Sequence, residues 1–186
     1  MKKLIYLSAI LIGVSSFAQL SKIDAIKKEY SNKHSQLLKQ YKKKNTPERM
    51  LQEEKISTER IAALREAIEV VQNNEEKHDF ESFRKEITKQ AEFETGITGF
   101  RKLFAEIFDS SSISSAGTLK TMLQFVIDEN GDMSNAFATG ENEEFNLEAV
   151  ITLYRIKEKN MKWTPAEFEG NPVKSIFRFP ATMIFK

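Results

Sequence analysis

Val173-Lys174-Ser175-Ile176-Phe177-Arg178-Phe179-Pro180-Ala181-Thr182-Met183-Ile184-Phe185 decides how this chain folds. Val173, Phe177, Phe179, Ala181, Met183 and Phe185 alternate with Lys174, Arg178 and Thr182, the period of a strand with one buried face. The run is about thirteen residues long, against a usual strand of about five or six. Part of it is therefore expected to extend past its neighbours. Pro180 cannot donate to a ladder, so its own N–H position belongs at a sheet edge or a bulge. An exposed edge is a liability unless it is blocked or used.

Upstream, Leu119, Leu123, Phe125 and Ile127 share one face of a second strand, with Lys120, Gln124 and Asp128 opposite. Asn130-Gly131, inside Asp128-Glu129-Asn130-Gly131-Asp132, predicts a two-residue type I′ turn, whose central residues both need positive φ. Met133 to Thr139 is then the return strand. An EF-hand loop would need Gly at its sixth place and Glu at its twelfth. Counting from Asp128 those places hold Met133 and Thr139, so no metal is expected. Asn146 is the expected N-cap of a helix ending near Asn160, with Phe145 and Val150 as a hydrophobic staple. Ala149, Val150, Leu153, Tyr154 and Ile156 should face the sheet. Trp163 fits as a core plug between helix and sheet, with ligand stacking as the alternative. Before these elements, Phe100, Leu103, Phe104, Ile107 and Phe108 share a helix face, and Ser110 to Ser115 reads as a loop.

Three motifs follow one another near the C-terminus: Lys162-Trp163-Thr164-Pro165-Ala166, Gly170-Asn171-Pro172-Val173, and Phe179-Pro180-Ala181-Thr182-Met183-Ile184-Phe185. With Leu123 to Asp132 as a first strand and turn, and Glu144 to Ala149 as a helix start, the arrangement resembles the C-terminal domain of the TonB family. The likeness covers roughly half of the chain, Phe93 to Lys186. It implies an α+β domain of ββαβ order with an antiparallel sheet, preceded by a helical segment. It also implies a non-enzymatic binding protein whose last strand receives a partner's extended peptide. In such strand addition, main-chain hydrogen bonds supply affinity and side-chain pockets supply selectivity. The region carried over is Val173, Lys174, Ser175, Ile176, Phe177, Arg178 and Phe179. The implied partner is the short TonB-box segment of an outer-membrane TonB-dependent receptor, or a similar envelope protein. A strand paired internally or in a homodimer is the alternative. Two features depart from the family. Phe108-Asp109-Ser110 stands where many such proteins carry a Tyr-Pro pair. The Pro- and Lys-rich spacer of the energy transducers is absent, because the prolines are Pro47, Pro165, Pro172 and Pro180 alone. An adaptor, decoy or assembly factor is expected rather than a carrier of proton-motive work.

The N-terminal half carries its charge unevenly. Lys22, Lys27, Lys28, Lys33, Lys39, Lys42, Lys43 and Lys44 precede a stretch dominated by acids, including Glu53-Glu54 and Glu75-Glu76. Ile23, Ile26, Tyr30, Leu37 and Tyr41 recur at helical steps. Thr46-Pro47-Glu48 is a helix start, with Thr46 as N-cap and Pro47 at the first helical position. Leu51, Ile61, Leu64, Ile68 and Val71 form the next stripe, which Asn73-Asn74 ends. Asp79 should open a short helix carrying Phe80, Phe83 and Ile87. Such narrow stripes suit an antiparallel helix pair or a coiled-coil dimer, and a homodimeric envelope scaffold is the alternative role. The lysines read either as a solvated face or as a basic surface for anionic lipid or peptidoglycan.

The first residues have the layout of a secretory signal: Met1-Lys2-Lys3, an apolar run from Leu4 to Val14, then Ser15-Ser16-Phe17-Ala18-Gln19. Cleavage is expected after Ala18, leaving a charged helical region at 19–92 and the TonB-like domain at 93–186 in the periplasm. An uncleaved inner-membrane anchor, and with it a true energy transducer, is the alternative. A span takes about 20 apolar residues, and this run turns polar at Ser15. The chain has no cysteine, which excludes disulfides, zinc-thiolate sites, cysteine nucleophiles and a lipoprotein anchor. Its 28 basic and 27 acidic residues point to no polyanion, so no nucleic-acid partner is expected. His34 and His78 lie far apart without ligand spacing, and no nucleophile elbow, phosphate-binding Gly loop or His-Glu-x-x-His helix occurs. No cofactor, metal, small-molecule substrate or catalytic residue is expected.

Overall fold

A computed structural model describes residues 5–42, 44–78, 83 and 86–185, with side chains from Gln19 onward. The chain divides into two compact units, one up to Val71 and one from Gln72. The expected boundary at Phe93 therefore falls inside the second unit. Gln72, Glu75 and Lys89 bond to its sheet and hairpin.

In the first unit, α1 (Ile5–Gln40) and all but the last two residues of α2 (Pro47–Asn73) form a helical pair. α2 begins where Thr46 accepts the Arg49 N–H on its Oγ1 at 3.2 Å, an N-cap followed by Pro47. The two helices meet side by side, with His34 Nε2 3.4 Å from Glu53 Oε1 and a shared shallow groove lined by Leu37 and Ile56. On α1, Leu20, Ile23 and Leu37 are buried and Ile26 and Tyr30 half-buried, as is Tyr41 in the turn that follows. On α2, Leu64, Ile68 and Val71 are buried, but Leu51 is 65% exposed. At 3.6 residues per turn Leu51 lies about 140° around the helix from Leu64, off the stripe. Among the described residues no helix is long and apolar enough to cross a membrane. Of the expected signal segment, residues 5–18 are described as helical backbone alone, and 1–4 lie outside the described residues.

The second unit is α+β. Its main sheet is antiparallel and three-stranded, in the order β3 (Met133–Gly140), β2 (Gly117–Ile127), β7 (Ser175–Phe185). Short strands β1 (Glu92–Phe93) and β4 (Trp163–Thr164) pair with each other, as do β5 (Ala166–Phe168) and β6 (Asn171–Val173). Helices α3 (Gly96–Ile107) and α4 (Glu143–Glu158) cover one face. α4 lies against β3 and β2. Phe100 and Phe104 of α3 reach Phe179 of β7, with ring centroids 4.9 and 5.4 Å away. Trp163 is buried at the centre, touching Phe93, Phe100, Phe125 and Phe177. Burying each such ring contributes about 1.5–3 kcal/mol, with about 0.5–1.5 more per edge-on pair.

Several local expectations shift. α4 is capped by Asn142, whose side chain accepts the Phe145 N–H at 2.8 Å, one turn earlier than Asn146. Asn146 instead donates its amide to the Gly140 carbonyl at 2.9 Å. The turn after β2 holds five residues rather than two, since Ile127 pairs with Met133. Asp128 accepts from the N–H groups of Asn130 and Asp132, and only Gly131 takes a positive φ, +79°. A Cβ at Gly131 would collide with the Trp163 carbonyl oxygen. The short helix expected from Asp79 is absent where it can be followed: Phe83 lies in a bend and Ile87 in irregular chain, while Asp79 and Phe80 lie outside the described residues. The long last strand is broken at Lys174. Its overhang, Asn171–Val173, is paired by β5 instead of standing free.

Candidate strand-docking edge

β7 is the edge strand on one side of the sheet, joined to β2 along its whole length from Gly117↔Phe185 to Ile127↔Ser175. Odd-numbered residues of β7 face the helices. Phe177 stacks near Phe125 and Trp163, and Phe179 is buried beneath α3. Even-numbered residues Ile176, Arg178, Pro180, Thr182 and Ile184 lie on the opposite, helix-free face.

The direction of the main-chain groups follows from two contacts at β2. Asp128 donates its N–H to the Asp132 carbonyl at 3.0 Å, and the Lys120 carbonyl faces Gly140. Even-numbered residues of β2 therefore point toward β3, and odd-numbered ones toward β7. In the β2–β7 register the odd residues of β7 are thus the hydrogen-bonded partners. Ile176, Arg178, Pro180, Thr182 and Ile184 turn their main-chain groups away from the sheet. Pro180, which has no N–H to offer, sits on this outward side, as an edge requires. Among the described residues no hydrogen bond reaches the outward groups of Ile176, Arg178, Thr182 or Ile184.

The other edge is treated differently. β3 bulges where Asn135 takes φ +51°, and its displaced groups are met by side chains. Gln72 Nε2 donates to the Ala136 carbonyl at 2.6 Å, and Glu75 Oε2 accepts the Asn135 N–H at 2.7 Å. Tyr154 Oη accepts the Ala136 N–H at 3.4 Å and itself donates to Glu75 at 2.9 Å. Lys157 Nζ completes the cluster, 2.6 Å from Glu75 Oε1. Burial, and then the neighbouring Glu75 charge, push the Tyr154 phenol far above its ordinary value. His78 Nε2 lies 3.2 Å from Ser134 Oγ. His78 is thus largely enclosed, and residues 72–78 cap the β3 edge at its bulge, around Ser134, Asn135 and Ala136.

Of the seven residues expected to form the site, the structure keeps five together on the edge. Ser175, Ile176, Phe177, Arg178 and Phe179 pair with Ile127, Val126, Phe125, Gln124 and Leu123. Arg178 Nε donates to Gln124 Oε1 at 3.2 Å. Val173 belongs to the β5–β6 hairpin opposite Ala166, and Lys174 binds Glu76 at 3.3 Å. Both stand outside the edge because the chain breaks between β6 and β7. Thr182 and Ile184 continue the outward set beyond Pro180; the alternation read from the sequence included Thr182 and left out Ile184. The sequence reading missed Gln72 and Glu75, whose partners lie about sixty or more residues away and leave no local signal. In comparison with known proteins, the chain matches no family model, no curated protein and no solved structure.

Proposed function

We propose that this protein is a non-enzymatic envelope binding protein of the TonB C-terminal kind, which captures an extended peptide segment by adding it as a fourth strand beside β7. The natural occupant is the TonB-box-like segment of an outer-membrane receptor, met in the periplasm after removal of residues 1–18. One observation carries this reading: the sheet has two edges, and among the described residues main-chain groups are met from within at the β3 edge, at Asn135, Ala136 and Gly140, and not at the outward groups of β7. An open row of N–H and C=O groups is what an incoming strand uses. The inner side chains of β7 are held by Trp163, Phe100 and Phe104. The edge is thereby already shaped, so the ordering cost of docking falls chiefly on the peptide.

Pull-down with synthetic peptides covering the periplasm-facing N-terminal segments of TonB-dependent receptors tests the proposal. Capture should occur, and backbone N-methylation at alternate peptide positions should abolish it. Capture that survives methylation in both registers would rule out strand addition.

A further inference from the structure

We infer that Pro180 and Arg178 set the length and the charge of the docked segment: about five residues in extended form, with a carboxylate beside Arg178. This rests on β7 being the docking edge.

The outward donors of β7 are the N–H groups of Ile176, Arg178, Thr182 and Ile184, and Pro180 interrupts them at the middle. A strand that crossed Pro180 would bring a carbonyl to a position with no donor and shield it from water. Such an unmet group weakens binding by roughly tenfold or more. A segment that stops at Pro180 meets the Ile176 and Arg178 donors and avoids this loss.

Charge then narrows the occupant. From Gly170 to Phe185 the chain holds Lys174 and Arg178 and no acid. Lys174 is engaged by Glu76, whereas Arg178 is exposed and, among the described residues, commits only its Nε, to Gln124. On the helix-free face Arg178 stands directly beside the lane an added strand would fill, and cross-strand neighbours of opposite charge favour pairing. A second copy of this chain is a poor occupant. Two-fold pairing of β7 with itself, centred on Phe177, Arg178 or Phe179, sets the two Arg178 side chains opposite or diagonal to each other. The occupant is thus a different chain, acidic at one outward position.

Hydrogen exchange of the β7 amides in the full-length chain reads this out. The probes are Val/Thr-alternating peptides of about five, seven and nine residues, with a single Glu, Gln or Lys moved along them. In the wild type, peptide should protect the Ile176 and Arg178 amides and leave Thr182 and Ile184 unchanged, with no gain from length beyond about five. Pro180→Ala and Pro180→Thr, at an exposed position, should extend protection to Thr182 and Ile184 and make the nine-residue probe bind at least about fivefold tighter. One Glu position should exceed Lys there by about three- to fivefold, and Arg178→Gln should erase the difference. Equal protection on both sides of Pro180 in the wild type, or no change in either Pro180 variant, overturns the length rule. A Glu preference that persists in Arg178→Gln overturns the charge rule. Probes that protect no β7 amide refute strand docking itself, a result separate from these.

Discussion

Replacing Glu75 with alanine removes the acceptor that three groups share: the Asn135 N–H, the Tyr154 hydroxyl and the Lys157 ammonium. The Glu75 side chain is only 9% exposed and that of Lys157 37%. Lys157 can therefore recover water, and its loss costs under about 1 kcal/mol. The other two donors are enclosed at the β3 bulge, and each left unmet costs about 1–3 kcal/mol. Glu75→Ala should thus destabilise the second unit by about 3–5 kcal/mol. Glu75→Gln keeps an acceptor oxygen of the same reach and should cost about half as much. Urea unfolding gives both values, and exchange of the Asn135 amide should accelerate in the alanine variant. A Glu75→Ala protein within about 1 kcal/mol of the wild type, or a Gln variant less stable than the Ala variant, would refute the assignment of Glu75 as the cap of that bulge.

Thr46→Ala should cost about 1 kcal/mol by removing the cap of α2, seen as a lower urea midpoint and lost helix signal from the first unit. Gly131→Ala, at φ +79° with the Trp163 carbonyl in the way, should cost at least about 2 kcal/mol; a near-neutral variant would mean the turn and Trp163 can separate freely. Tyr154 has its folded pKa raised above its ordinary value of about 10. Its contribution is fully present below that pH and lost as pH rises past it, by up to about 1.4 kcal/mol per pH unit. Tyr154→Phe should lack this component, so the two proteins' stabilities should converge as urea titrations move from about pH 9 to pH 11.

The elements governed by local rules could be read from the residues. Strand alternation located β2 and β7, the Asn130-Gly131 turn signal placed β3 after β2, and the Phe100/Phe104 spacing located α3. Thr46-Pro47 started α2 where a cap and a proline together allow it. The misreadings arose where several residues satisfied the same rule. Asn142 and Asn146 are both capping residues, but Asn142 is followed by two acids, Glu143 and Glu144, and Asn146 by Glu148 alone in its first turn, and acids are favoured at a helix N-terminus. The Asn130-Gly131 pair signals a tight turn, but the Asp128 carboxylate gathers two N–H groups and widens it. The break at Lys174 was hidden because alternation continues through it in sequence. That β7 is an edge was legible from Pro180. That the opposite edge is capped at its bulge was not, since Gln72 and Glu75 reach it only through the folded chain.

The open edge also bounds how strongly it can hold anything by main-chain contact alone. A segment that ends at Pro180 meets two outward donors, Ile176 and Arg178, and the carbonyls beside them, about four hydrogen bonds in all. At about 1 kcal/mol net each, these contribute about 4 kcal/mol. Association itself costs at least about that much in lost translation and rotation, before the peptide is ordered. Affinity must therefore come from peptide side chains laid against the flanks of β7, on the Ile176 side or toward the half-buried Phe177. A Gly/Ser peptide of the same length should show no measurable capture, while its Val-rich counterpart binds. Equal capture of the two would place the binding energy somewhere other than this edge.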